Sequence, residues 1–165
     1  MGRPLSYGQV AGPQSYVNGF VGASEIFWNL SGHFMSPDGS GNLEIANATD
    51  VNIVGWMEHG EATASATEGT AGGEVAGVNV AKDAVYEIRA VGTAGAAVTE
   101  ATLKAAVWET CDIQMVSTSY QCASLVASAI DILLIVDYRF YGTAAGQQSV
   151  LVMINWEKVV NTGVA

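Results

Sequence analysis

Two histidines, two cysteines and a scatter of carboxylates are the reactive side chains of this sequence, and their spacing decides whether they can act together. His33 and His59 each stand in or beside a turn-forming run without a clear partner. A Ser or Cys nucleophile needs a base held within hydrogen-bond reach, and neither histidine is placed to be one. His33 can meet Asp38 across the intervening turn, which reads as a structural contact. Glu58 and Glu61 flank His59 and would hold a cation only loosely. Cys111 and Cys122 are eleven residues apart. Zinc takes four protein ligands, or three and a water, and no histidine falls at ligand spacing from this pair. Two thiols in a chain of 165 residues do not form a disulfide framework either. They read as free, buried thiols of a protein made inside the cell. No GxSxG, HExxH, CxxC or GxGxxG run occurs, and GTAGG at 69–73 lacks the lysine and helix of a phosphate loop. The expectation is a protein that is not an enzyme, with no catalytic, cofactor-binding or metal-ligating residues and no cofactor. Trp28, Trp56, Trp108 and Trp156 would make a sugar platform only if solvent-facing. Their places in apolar patterns favour core or interface packing.

The elements that would carry these residues are mostly extended. EIFWNLSGHFM (25–35) reads as a strand, SPDGSG (36–41) as a turn, and NLEIA (42–46) as a strand with Leu43 and Ile45 on one face. NATD (47–50) is a polar break before a strand over VNIVGWME (51–58). Residues 60–77, rich in Gly, Ala and Thr and without an aromatic, read as a long loop or hairpin tip. A strand follows around Ala84–Val91, with Tyr86, Ile88 and Ala90 opposite Val85, Glu87 and Arg89. TEATLKAAVW (99–108) is the best helix candidate, capped by Thr99, with Leu103 and Val107 sharing a face. CDIQMVS (111–117) reads as a strand and QCASLVAS (121–128) as a helical turn or loop. AIDILLIVDYRFYG (129–142) and SVLVMINWEKVV (149–160) pair as a closing hairpin around TAAGQQ. The fold class expected is mainly β: a compact antiparallel barrel-like head over 25–165 with one or two short helices.

Residues 1–24 differ. Two prolines, five glycines and isolated Leu5, Tyr7, Val10, Tyr16, Val17 and Phe20 follow neither a helical nor a strand period. Three aromatics are too many for a solvated tail, so an extended N-terminal arm that docks on something is expected.

Composition narrows the partners. Sixteen acids against six bases give a net charge of −10. Phosphate backbones repel such a surface, which excludes nucleic acid as a direct partner. The apolar run ILLIV (132–136) is far short of a membrane span, so no membrane partner is expected, and MGRPLSYGQVAGPQ has no signal-type apolar stretch. Charged residues are only 13% and apolar ones 50%. A lone monomer that sparsely charged exposes apolar patches, and such patches mark contacts.

SGHFMSPDGSGNLEIANATDVNIVGWMEHGEA, followed by VNVAKDAVYEIRA, resembles the capsid decoration (cement) proteins of tailed phages over roughly residues 30–90, and DILLIVDYRF with SVLVMINWEKVV is compatible with that family's closing hairpin. The long loop at 60–77 departs from the pattern. The resemblance implies a compact β head on the outer surface of the virion capsid. It also implies a homo-oligomer, a trimer before a dimer, that holds neighbouring major capsid protein subunits together. On that reading Leu5, Tyr7, Tyr16 and Phe20 of the arm are capsid contacts between shell subunits, and Arg3 meets an acidic patch. A phage tail or tail-tube β-protein, or a glycan-binding surface module, are the alternatives.

Overall fold

A computed structural model describes residues 8–22, 25–26, 32–57, 67–68, 75–117, 120–126 and 130–157. The strands are β1 (Gly8–Ala11), β2 (Tyr16–Phe20), β3 (Glu25–Ile26), β4 (His33–Pro37), β5 (Leu43–Ile45), β6 (Gly55–Met57), β7 (Thr67–Glu68) and β8 (Val75–Asn79), then β9 (Val85–Val91). A 3₁₀ turn at Thr93–Gly95 and helix α1 (Glu100–Ala105) lead into β10 (Thr110–Ser117), β11 (Tyr120–Ser124), β12 (Leu133–Phe140) and β13 (Gln148–Ile154). Among the described residues the fold is mainly β with one short α-helix.

Five strands close into a barrel in the order β9-β11-β10-β12-β13, with β13 returning to β9 through the register Ser149↔Arg89 to Val152↔Tyr86. The β9–β11 pairing is parallel and the rest are antiparallel. Period-2 alternation fills the interior. Tyr86, Ile88 and Ala90 of β9 face Val150, Val152 and Ile154 of β13, joined by Ile113, Ala123, Leu133 and Ile135. In β12 the register slips between Ile135 and Asp137. That bulge changes the parity, so Leu133 and Ile135 point inward before it and Tyr138 and Phe140 pack on the core after it. On the outside Glu87 is nonetheless buried. It accepts from Ser149 Oγ at 2.6 Å and Tyr141 OH at 3.2 Å, and Arg139 Nη1 lies 2.8 Å away.

The other sheet runs β2-β8-β6-β4-β5, antiparallel throughout. Its edges meet where Val21 bridges Leu43 and the Gly22 N–H donates to the Leu43 carbonyl at 2.8 Å. A Cβ on Gly19 would lie 2.5 Å from Leu43 Cδ1, so a larger residue there would have to displace the Leu43 side chain where β2 approaches β5. The enclosed face carries Val21, Met35, Leu43, Ile45, Met57 and Val78. The opposite face sends Phe34 and Trp56 into the barrel core. There Trp56 stacks on Tyr86 at 5.0 Å, and Phe34 sits edge-on to both rings. Gln121 joins the two bodies. It accepts from the Phe34 N–H at 2.8 Å and donates to the carbonyls of Phe34 at 3.0 Å and Ala46 at 2.7 Å, as a strand backbone would.

Helix α1 begins as the sequence predicts, with Thr99 Oγ1 accepting from the Thr102 N–H and Leu103 buried. Three expectations need correction. QCASLVAS is not helical at its start: residues 120–124 form β11, because Gln121 and Ala123 fill positions between β9 and β10. The ladder over 51–58 is confined to Gly55–Met57, although the Val54 N–H still reaches the Met35 carbonyl. The 60–77 stretch is not loop to its end, since β8 starts at Val75 and pairs with β2 across Gly77.

Candidate functional site

The N-terminal segment, read from sequence as an arm, is extended and docked on its own head at residues 8–22. β1 lies on β9 and β2 on β8, so the segment passes from the barrel to the second sheet. The crossover is fixed by polar contacts that the sequence pattern did not reveal. Gln9 Nε2 donates to the carbonyls of Ala11, Gly12 and Pro13. Asn79 Oδ1 accepts from the Ser15 and Ala81 N–H groups at 2.9 and 3.0 Å, and its Nδ2 donates to Gln9 Oε1 at 2.9 Å. Asn79 is fully buried, and a buried amide satisfied on both ends fixes its neighbours. Gly12 makes the turn at φ +89, where a Cβ would lie 2.3 Å from the Asp83 carbonyl oxygen. A buried Asn paired with a strand-borne Gln seventy residues away has no local signature; a Gly-Pro dipeptide at 12–13 was the visible part.

This anchoring presents an apolar surface. Tyr16 and Phe20 are 49% and 47% exposed, Val17 is 46% and Val10 41%. Tyr16 and Phe20 share one face of β2, about 13 Å apart along the strand. The ring of Tyr16 lies over Gly77, where a Cβ would be 3.6 Å from Tyr16 Cδ1. Val17 stands on the other face, opposite Val78. An edge strand with large apolar groups on both faces is an unusual surface for a monomer. Arg3, Leu5 and Tyr7 lie outside the described residues.

The neighbouring rim is acidic. Asp38 accepts from the Ser40 N–H, the Asn42 N–H and Asn42 Nδ2. These bonds hold its carboxyl below the ordinary range, the Asn42 side chain contributing most. Its oxygens serve the turn, not His33, which is buried in β4 opposite Met57. Glu25 accepts from the Ile45 N–H at 3.0 Å and is raised above its usual value chiefly by burial, with Asp38 and Asp50 adding repulsion. Glu44 is raised by burial and then by Asp50, Glu25 and Asp38.

Elsewhere the reactive candidates are separated. Burial pushes the Cys122 thiol up to about 11 and the Cys111 thiol higher still, so both stay protonated at neutral pH. Cys111 sits opposite Leu133 and Cys122 opposite Gln114, in different parts of the barrel. His59, Glu58, Glu61 and Trp28 lie outside the described residues. Trp56 is in the core, Trp156 packs partly against it, and Trp108 is 71% exposed. Among the described residues no group of three or more His, Cys, Asp or Glu is placed to hold a metal ion, and no helix is long and apolar enough to cross a membrane. No protein-family model, no curated protein and no solved structure matches the chain.

Proposed function

We propose that this chain is a structural virion protein, a capsid decoration protein that binds the outside of an assembled phage head and ties neighbouring major capsid subunits together. The observation that carries the reading is the exposed apolar surface of β2, with Tyr16 and Phe20 held on a strand whose position is fixed by Gln9 and Asn79. Aromatic anchors on a preorganised element give affinity without a large ordering penalty. The acidity and low charge density of the chain fit a body that lies on a shell and stays off nucleic acid. A protein that binds only the assembled lattice stabilises that lattice by the difference in its affinity for the two states. Many copies, as trimers before dimers, multiply a modest joint energy.

The test uses point substitutions. Deleting the first twenty residues would remove β1 and β2 from the two sheets and confound binding with unfolding. Tyr16→Thr with Phe20→Thr keeps good strand formers at half-exposed positions, so the fold is retained within about 1 kcal/mol. Co-sedimentation with purified, undecorated heads of the virus that encodes the chain should show the unaltered protein bound. The double variant should bind at least tenfold more weakly, the loss of about 1.4 kcal/mol of anchoring. An unaltered protein that stays in the supernatant, or a double variant that binds as well, overturns the proposal.

A further inference from the structure

On the far side of the barrel, α1 leans over β12 and leaves an open groove of about 420 Å³. Its apolar floor is Ala105, Ala106, Leu125 and Ile135, and its polar wall includes Thr110, Glu109 and Asp131. Among the described residues no Lys or Arg lines it. The walls are held from both sides. The Trp108 N–H donates to the Ile135 carbonyl at 2.8 Å, and the Ile135 N–H to the Glu109 carbonyl at 3.0 Å. Asp131 sits at φ 56, its N–H donating to Asp112 Oδ1 at 2.6 Å and its carbonyl accepting from Asn155 Nδ2 at 3.0 Å. Its Oδ1 accepts from Thr110 Oγ1 at 2.8 Å. Glu109 is exposed, and among the described residues no ion pair engages Glu109 or Asp131. The local field is negative: Asp112 is buried beside Asp131, and its carboxyl is raised by that burial and by the Asp131 charge.

We infer that this groove receives a lysine side chain of a partner protein, its methylene stem on the floor of Ala106, Leu125 and Ile135 and its ammonium between Glu109 and Asp131. The shape and the charge argue together. A lysine buries its stem on apolar surface and keeps its head at the polar rim, and an ammonium with three donors suits two carboxylates and a hydroxyl. The hydrogen bond from Thr110 already holds the Asp131 carboxylate, which lowers the ordering penalty on that side of the groove. Trp108, adjacent to Glu109 in sequence and largely solvent-facing, adds aromatic surface at the same end of α1. The inference is independent of the virion reading, since its test needs no capsid.

The test is an amide-shift titration of the ¹⁵N-labelled protein at low salt with Nα-acetyl-lysine methylamide, against the norleucine counterpart of the same length. The lysine probe should move the amides of Thr102, Ala106, Thr110 and Asp131, with the norleucine probe at least tenfold less effective at equal concentration. Glu109→Gln with Asp131→Asn should abolish the response, with the circular dichroism unchanged, because asparagine tolerates the left-handed backbone at 131. Added salt should weaken the response, as expected for exposed charges. Equal response to both probes, shifts that map elsewhere, or a response retained in the double variant overturns the inference.

Discussion

Gln121→Leu tests whether one side chain holds the two closed sheets in register. The leucine fills similar space but offers no hydrogen bonds. The Phe34 carbonyl keeps the Ala46 N–H as a donor at 2.9 Å. The Phe34 N–H and the Ala46 carbonyl lose the contacts at 2.8 and 2.7 Å that Gln121 supplies, in a site where Gln121 and Phe34 are both buried. A buried donor or acceptor left unmatched costs about 1–3 kcal/mol, so the two together cost about 2–6 kcal/mol. For a chain of this size that lowers the melting temperature by roughly 5–25 °C. Urea unfolding followed by far-ultraviolet circular dichroism gives the free energy, and tryptophan emission reports Trp56 where the sheets meet. A companion variant, Gln121→Glu, separates the two ends of the amide. It can still accept from Phe34 at neutral pH, but its carboxylate faces two carbonyl oxygens. It should therefore be the less stable of the two at pH 7 and recover in acid, where a protonated carboxyl donates. A loss below about 0.5 kcal/mol for Gln121→Leu, within the range of ordinary surface changes, would refute the bridging role.

Two further outcomes follow from the same contacts. Gly12→Ala should destabilise by about 2 kcal/mol or more in the same urea assay, because φ +89 and the approach to Asp83 both exclude a Cβ; an alanine variant that melts with the parent would show that the β1–β2 crossover is not fixed. For pH, Glu25 and Glu44 have folded values raised above the ordinary 4.5, so their ionised forms weaken the fold at neutrality and stability rises as pH falls toward 4.5. Asp38 has the opposite sign: its lowered value stabilises above 3.8, and that contribution is lost as pH falls further. Unfolding followed from pH 7 to 3 should pass through a maximum on the acid side, and Glu44→Gln should be more stable than the parent at pH 7 with a smaller rise. A Glu44→Gln variant less stable at pH 7 would show the charge to be favourable there.

Much of the architecture was legible because it rests on local rules. The alternation in VYEIRAV placed Tyr86, Ile88 and Ala90 inside, Thr99 announced the start of α1, and a turn-rich TAAGQQ between apolar runs announced the β12–β13 hairpin. What was not legible depends on distant partners. β11 carries Gln, Cys, Ala and Ser, small or polar residues that read as loop in isolation, and becomes a strand because β9 and β10 flank it in a closed barrel. The bulge at Val136 is equally silent, since only the return of β13 to β9 requires the change of face. The same holds at the candidate site. Tyr16 and Phe20 stood out in the sequence by type, but β2, which carries them, pairs with the chain's own β8, and Gln9 and Asn79, which fix that crossover, carry no motif.

The two sheets close in different ways, and this concentrates the exposed apolar groups where they are. Closing β13 on β9 turns the barrel's apolar residues inward, and its outer face carries buried Glu87 and Ser149 bonded to an exposed Arg139. Among the described residues the edges of the second sheet are joined at Val21 and Gly22, past the end of β2. The Tyr16 and Phe20 rings stand on the face of β2 opposite Gly19, turned away from Leu43. Exchanging them for polar residues would remove little from the enclosed core, so folding alone does not demand aromatics at 16 and 20. A sequence this sparing with charge nonetheless places two of its aromatic rings on β2, an edge strand that pairs with β8 on one side. That combination is an argument for contact with another surface that does not depend on any resemblance to another protein.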